Sequence, residues 1–147
     1  MKYRLLCVGR RARDPLVDAT EDYGKRLGHY ATFELLRLRE SNRSQEADDL
    51  LARLNPQDWV VVLDERGESI HTMGLCAAVR AWQARCVGRV VFVIGGADGL
   101  EDTIKRRANQ TWALSALTLP HRAAQMLLVE QLYRAHTILR GEKYHRA

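Results

Sequence analysis

Three stretches in the last third of the sequence combine residue types that can hold a ligand or move a proton. The first is a glycine turn, Gly95-Gly96-Ala97-Asp98-Gly99, directly after the apolar run Val90–Ile94. Glycines remove side chains and permit positive φ, so a ligand can approach the backbone there. A tight structural turn accounts for the same residues equally well. The second stretch is Leu114-Ser115-Ala116-Leu117-Thr118-Leu119-Pro120-His121. Its leucines suit either the apolar wall of a pocket or ordinary core. The third is the chain end, Tyr144-His145-Arg146. A basic, aromatic end reads as a frayed terminus or as an arm with loose affinity for RNA.

Other chemistries fit poorly. A phosphate-binding Walker loop needs Gly-Lys-Ser/Thr, which is absent, and Ala97 breaks the GxGxxG dinucleotide fingerprint. No GxSxG marks a nucleophilic serine. No histidine pair or Cys/His cluster has metal-ligand spacing, so no metal is expected. His29 and His71 fall in loops, His136 sits in a helix as a packed or interface residue, and His121 is placed to cap the last helix or orient the loop before it.

The elements that must position these residues alternate between strand and helix. Tyr3–Val8 reads as a buried strand. Asp14-Pro15 gives an N-cap and first-turn proline for a helix to about Leu27. Thr32–Leu38 is a second strand and Ser44–Leu54 a short helix ended by Asn55-Pro56. Trp59–Leu63 is a continuous apolar run, as in a parallel strand covered on both faces, and Asp64-Glu65-Arg66-Gly67 reads as a turn away from it. Then follow a helix over Met73–Arg85, the strand Val90–Ile94, a short helix over Glu101–Ala108 and a short strand at Trp112–Leu114. Residues 123–140 form the longest helix, apolar around most of its circumference, so it must be covered on most sides, and in a chain this small the expected cover is a second subunit. The pattern specifies an α/β fold with a mostly parallel sheet flanked by helices.

With 147 residues, the chain reads as one domain spanning 1–147, long enough to need no disulfide or metal staple. A composition of 46% hydrophobic and 28% charged residues argues against disorder. The longest apolar runs are too short to span a bilayer. Three cysteines without CxxC spacing, and no evident secretion signal, suit reduced thiols in a cytoplasmic protein, with Cys7 as core packing. A net charge of +5 favours an anionic partner, and Arg10, Arg11 and Arg13 after the first strand form either a solvated loop or a phosphate-contact surface.

Taken in order, the glycine turn, Leu114–His121, Glu130-Gln131-Leu132-Tyr133-Arg134-Ala135 and Tyr144-His145-Arg146 closely resemble the RlmH family, small methyltransferases of the SPOUT, or α/β knot, class that act on large-subunit ribosomal RNA. The resemblance covers most of the chain and is densest from residue 93 to 146. It implies a C-terminal trefoil knot, which general topology rules would not suggest. It implies S-adenosylmethionine as cofactor, held at Leu63, Gly96, Ser115, Ala116, Leu117, Thr118, Leu119 and Pro120. It implies a homodimer in which Tyr144, His145 and Arg146 of one tail reach the partner's cofactor pocket. Partners would then be the ribosome with its 23S rRNA and a second copy of the chain, with no DNA or membrane partner.

The expected reaction is methylation of N3 of a pseudouridine in the assembled ribosome. On this view His145 is the candidate base or proton relay, and Arg146 positions RNA. One departure stands out: after His121 the family pattern continues to an arginine, where this chain has Gln125. Glutamine keeps hydrogen-bond donors and loses the charged fork. Arg122, three positions earlier, lies roughly 60° around the helix from it. Three readings follow: an active rRNA methyltransferase, a cofactor-competent but weakly active RNA-binding relative, and an unrelated α/β nucleotide-binding enzyme.

Overall fold

The computed structural model describes all residues, 1–147. Five strands form one parallel sheet: β1 (Lys2–Val8), β2 (Thr32–Leu38), β3 (Trp59–Ser69), β4 (Val90–Ile94) and β5 (Gln110–Ala113), in the order β2-β1-β4-β3-β5. The helices are α1 (Pro15–Leu27), α2 (Arg43–Ala52), α3 (Thr72–Ala84), α4 (Asp102–Arg107) and α5 (His121–Leu139).

The period of two along each strand divides the core. Leu5, Cys7, Val61, Phe92 and Ile94 face one side, where Leu27 of α1, Val79 and Trp82 of α3, and Leu128 and Leu132 of α5 pack against them. Leu6, Val8, Val60, Val62, Val91 and Val93 face the other side and meet Ala47 and Leu50 of α2 and Ile104 of α4. Both faces are thus covered, which is why β1, β3 and β4 read as unbroken apolar runs. Cys7 is fully buried, as core packing requires.

Local signals set several boundaries. Asp14 accepts a hydrogen bond from the Leu16 N–H with Pro15 at the first helical position, and Asn42 caps α2 by accepting from Gln45. At the other end of α5, Gly141 adopts φ +70°, with its N–H bonded to Ile138 O and the Glu142 N–H to Thr137 O. This Schellman turn reverses the chain and lays the tail back on α5.

Three expectations are corrected. Residues 64–67 do not turn away from the sheet: β3 continues to Ser69, and Trp112 of β5 pairs with both Leu63 and Glu68 across an irregularity. Gly67 permits this close approach, because a Cβ there would lie 2.7 Å from the Thr111 carbonyl oxygen. Second, the long helix begins at His121 itself, whose side chain makes no capping bond; Pro120 occupies the N-cap position. Third, much of the cover over α5 comes from its own chain, through α1 and α3. Its remaining apolar positions, Ala123, Met126, Leu127 and Tyr133 among them, are half-buried.

Candidate functional site

The carboxyl ends of β3 and β4 open into a cavity of about 480 Å³, within the range of small-molecule sites. Ligands in open parallel sheets bind at this end of the strands, because connecting loops diverge there. Three segments converge on the space: the irregular half of β3, the glycine turn, and the loop between β5 and α5. Leu63, Gly96, Ser115, Leu117, Thr118 and Leu119 line it, and Ile94, Leu114 and Ala124 add apolar wall. Ala116 and Pro120 stand in the same loop without lining the cavity. Leu117 is 73% exposed, an apolar side chain held at the mouth with nothing on its outer side.

The glycine turn serves packing and ligand access in different positions. A Cβ at Gly95 would lie 2.8 Å from Leu100 Cγ, so that residue is small to let the turn close on its own leucine. Gly99 has φ +77° and open space around it, and its N–H bonds to Gly96 O. Gly96 sits against Val8 and Glu46.

Charged residues at the rim were not singled out from the sequence. Asp64, Glu65, Arg66, Asp98, Arg43 and Lys105 all line the cavity. Asp64 pairs with Lys105 Nζ at 3.0 Å and accepts from the Arg66 N–H at 2.8 Å. Burial pushes its carboxyl up, but these donors outweigh that and hold it below its ordinary value. Glu65 accepts from the Thr118 hydroxyl at 3.0 Å, tying the β5–α5 loop to β3. Arg43 reaches from α2 to donate to Leu100 O at 2.7 Å. The composition of Asp64–Gly67 hid Asp64, Glu65 and Arg66, because a polar, glycine-ended segment carries the same signal whether it leaves a sheet or bulges within it. The cavity therefore has an apolar floor and a rim of both charge signs. That suits a nucleoside-sized ligand with a zwitterionic or cationic end, and the arrangement fits S-adenosylmethionine.

The tail lies elsewhere. Tyr144 donates to Glu130 Oε1 at 2.9 Å and its ring meets that of Tyr133 edge-on at 4.7 Å between centroids. His145 Nδ1 is 3.1 Å from Arg134 Nη1. Burial and the Glu130 carboxylate push the Tyr144 phenol well up, so it stays protonated at neutral pH. Arg146 is exposed. None of the three lines the cavity of its own chain. Ala124 is the last residue of α5 that does, and Arg134 stands ten residues further on, about 15 Å at the helical rise.

The residues around Gln125 form a separate notch. Gln125 is 3% exposed, and Gly9, Arg10, Arg37 and Arg122 line the notch with it. Arg122 Nη1 pairs with Asp14 Oδ2 at 3.0 Å, so its charge is committed to the start of α1. The Leu16 N–H and this guanidinium hold the Asp14 carboxyl below its ordinary value. Arg11, in the basic loop, pairs with Glu21 and Asp18. His136 is buried and bonds to the Tyr3 hydroxyl at 2.8 Å, a packing role. No group of three or more His, Cys, Asp or Glu is placed to hold a metal, and no helix is long and apolar enough to cross a membrane.

Comparisons with known proteins bear on the family and the fold. Residues 1–145 match the family model described as "Predicted SPOUT methyltransferase". The chain is 46% identical to the ribosomal RNA large subunit methyltransferase H of Anaeromyxobacter sp. strain Fw109-5, covering 99% of this chain and 100% of that one. It is 40% identical to the protein of the same name from Polynucleobacter asymbioticus, covering 99% of each. In fold it is similar to a probable methyltransferase from Bordetella pertussis Tohama I, with a TM-score of 0.61 at 17% identity, covering 92% of this chain and 94% of the other.

Proposed function

The chain belongs to the SPOUT methyltransferases, in the ribosomal RNA large subunit methyltransferase H family, and from that premise we propose that it transfers the methyl group of S-adenosylmethionine to N3 of a pseudouridine in the 23S rRNA of assembled ribosomes in the cytoplasm. The observation that carries the reading is the convergence of Leu63, Gly96 and the 115–119 loop on one cavity. Leu63, Leu114 and Leu119 would take the apolar body of the cofactor, and the mixed rim of Asp64, Asp98 and Lys105 its charged end. Bound there, S-adenosylmethionine would supply a sulfonium-activated methyl for N3, the C–S electron pair returning to sulfur. The protein's own task is alignment: holding the methyl and the nitrogen in a near-attack pose supplies up to roughly 7–11 kcal/mol. The N3 proton leaves to solvent.

The site is completed by a second copy. The tail is folded on its own α5 at Glu130 and Arg134, roughly 9–15 Å along the helix from Ala124, the last α5 residue that lines the cavity, and half-buried apolar side chains along that helix favour a homodimer that brings one protomer's Tyr144, His145 and Arg146 to its partner's cavity. Tyr144 suits stacking on a base and Arg146 suits holding a phosphate. Membership of the SPOUT class supports a C-terminal trefoil knot as part of this reading.

The test is transfer of labelled methyl from S-adenosylmethionine to ribosomes that lack the modification, with the modified base mapped by mass spectrometry. Label on N3 of a single pseudouridine is the expected result. Label on another atom would remove the assigned specificity. A second reading, a cofactor-competent but weakly active relative, rests on the uncharged Gln125 in its notch. Intact cofactor binding without label would favour it.

A further inference from the structure

Glu130 and Arg134 take no part in the cavity, yet they organise the tail. Glu130 is 8% exposed, low for a carboxylate, and gathers donors from several sides. It accepts from Arg134 Nε at 3.0 Å and Nη2 at 2.6 Å, from Gln131 Nε2 at 2.8 Å and from the Tyr144 hydroxyl at 2.9 Å. The two-point clasp fixes the plane of the guanidinium. Arg134 then lies over the Tyr144 ring, 4.8 Å from its centroid, and directs Nη1 at His145 Nδ1, 3.1 Å away.

A guanidinium has only donors. The imidazole nitrogen facing it must therefore present its lone pair, and the proton of the neutral ring resides on Nε2. We propose that Glu130 and Arg134 are positioning residues that hold His145 as its Nε2–H tautomer, so that during methyl transfer His145 donates a hydrogen bond to a carbonyl oxygen beside the target nitrogen. This assigns His145 the opposite role to a general base, and it rests on the methyltransferase reading. The chemistry is consistent with the target. N3 of a uracil-type ring lies between two carbonyls. As its proton passes to water, negative charge spreads onto those oxygens, and a fixed donor stabilises it there. The N3 electron pair then forms the bond to carbon while the C–S bond breaks toward sulfur.

The experiment has two arms on the full-length protein. In the first, 15N spectra of histidine-labelled wild type, with His145 assigned through His145→Gln, report which ring nitrogen is protonated. The Nε2–H form is expected; a predominant Nδ1–H form would overturn the proposal whatever the activity. In the second, methyl transfer to ribosomes is measured for His145→Ala, His145→Gln, Arg134→Gln and the double variant Arg134→Gln/His145→Gln, with cofactor affinity measured alongside. Glutamine keeps an N–H donor near the Nε2 position and cannot act as a base. His145→Ala should lower kcat about a hundredfold, the scale of one lost donor, and His145→Gln should restore at least tenfold of that. Arg134→Gln should lower kcat more than tenfold at unchanged cofactor affinity, yet cost less than threefold once His145 is glutamine, because its effect runs through the imidazole. Equal loss in His145→Gln and His145→Ala, or an Arg134→Gln effect of the same size in both backgrounds, would sink the assignment. Wild type that transfers no methyl would fail the function reading and this role together, whereas active wild type with the wrong tautomer fails this role alone.

Discussion

The cavity and the tail are built on opposite plans. The cavity is made where strands end: backbone, small residues and leucines from three segments enclose a space, and charge is confined to the rim. The tail is made of side chains, with Tyr144 and His145 gathered by a buried carboxylate and a clamped guanidinium on one helix. A binding site for a preformed small molecule tolerates many wall compositions, since apolar contact has no direction. Positioning a polar group against one atom of a base does not, since hydrogen bonds weaken steeply with angle. The difference explains why the directional groups are tethered so closely.

The largest expected effect comes from separating the two. Deleting residues 143–147 should lower methyl transfer by roughly a thousandfold or more, since both alignment and donors go. Cofactor affinity, measured by calorimetry, should stay within about threefold. A parallel loss of cofactor binding would show that the tail holds the cofactor as well as aligning the base.

Acid should act on the tail end of α5 before the cavity end. Burial lowers the His136 pKa from 6.5 to about 4, so between those pH values the unfolded chain takes up a proton that the folded chain refuses. Stability is then fully present above pH 6.5, falls as pH drops toward 4, and loses up to about 3 kcal/mol from this group. Denaturant midpoints across that range check it, and His136→Phe should flatten the dependence. An unaltered slope in the variant would place the titration elsewhere.

At the cavity, Gly95→Ala drives a methyl into Leu100. Overpacking of this kind costs about 1–3 kcal/mol, and displacement of the glycine turn should weaken cofactor binding about tenfold while leaving the tail contacts intact. Thermal melts and calorimetry together read both. The smallest effect is expected from Thr118→Val, which removes an exposed bond to Glu65. Its stability change should remain within about 0.5 kcal/mol, and cofactor affinity should fall no more than a few-fold. A large loss would mean that the loop depends on this one tether.

Much of the fold was legible because its signals are local. The parallel strands β1, β3 and β4 announce themselves as apolar runs, and Asp14-Pro15 starts α1 at the residue expected. The bulged half of β3 was not legible, since Asp64–Gly67 has turn composition and only its pairing with Trp112 keeps it in the sheet. The rim charges it carries, Asp64, Glu65 and Arg66, were missed with it.

Sequence alone determined the alternation of elements and, through the resemblance, the family, because periodicity and motif order are properties of the chain itself. Tertiary structure alone decided that Asp64 and Lys105 share the rim with the 115–119 loop, that Arg122 is committed to Asp14, and that Arg134 faces His145. Those facts depend on distances between residues far apart along the chain or on the bearing of one side chain's N–H on another's lone pair. Neither leaves a trace in composition or spacing.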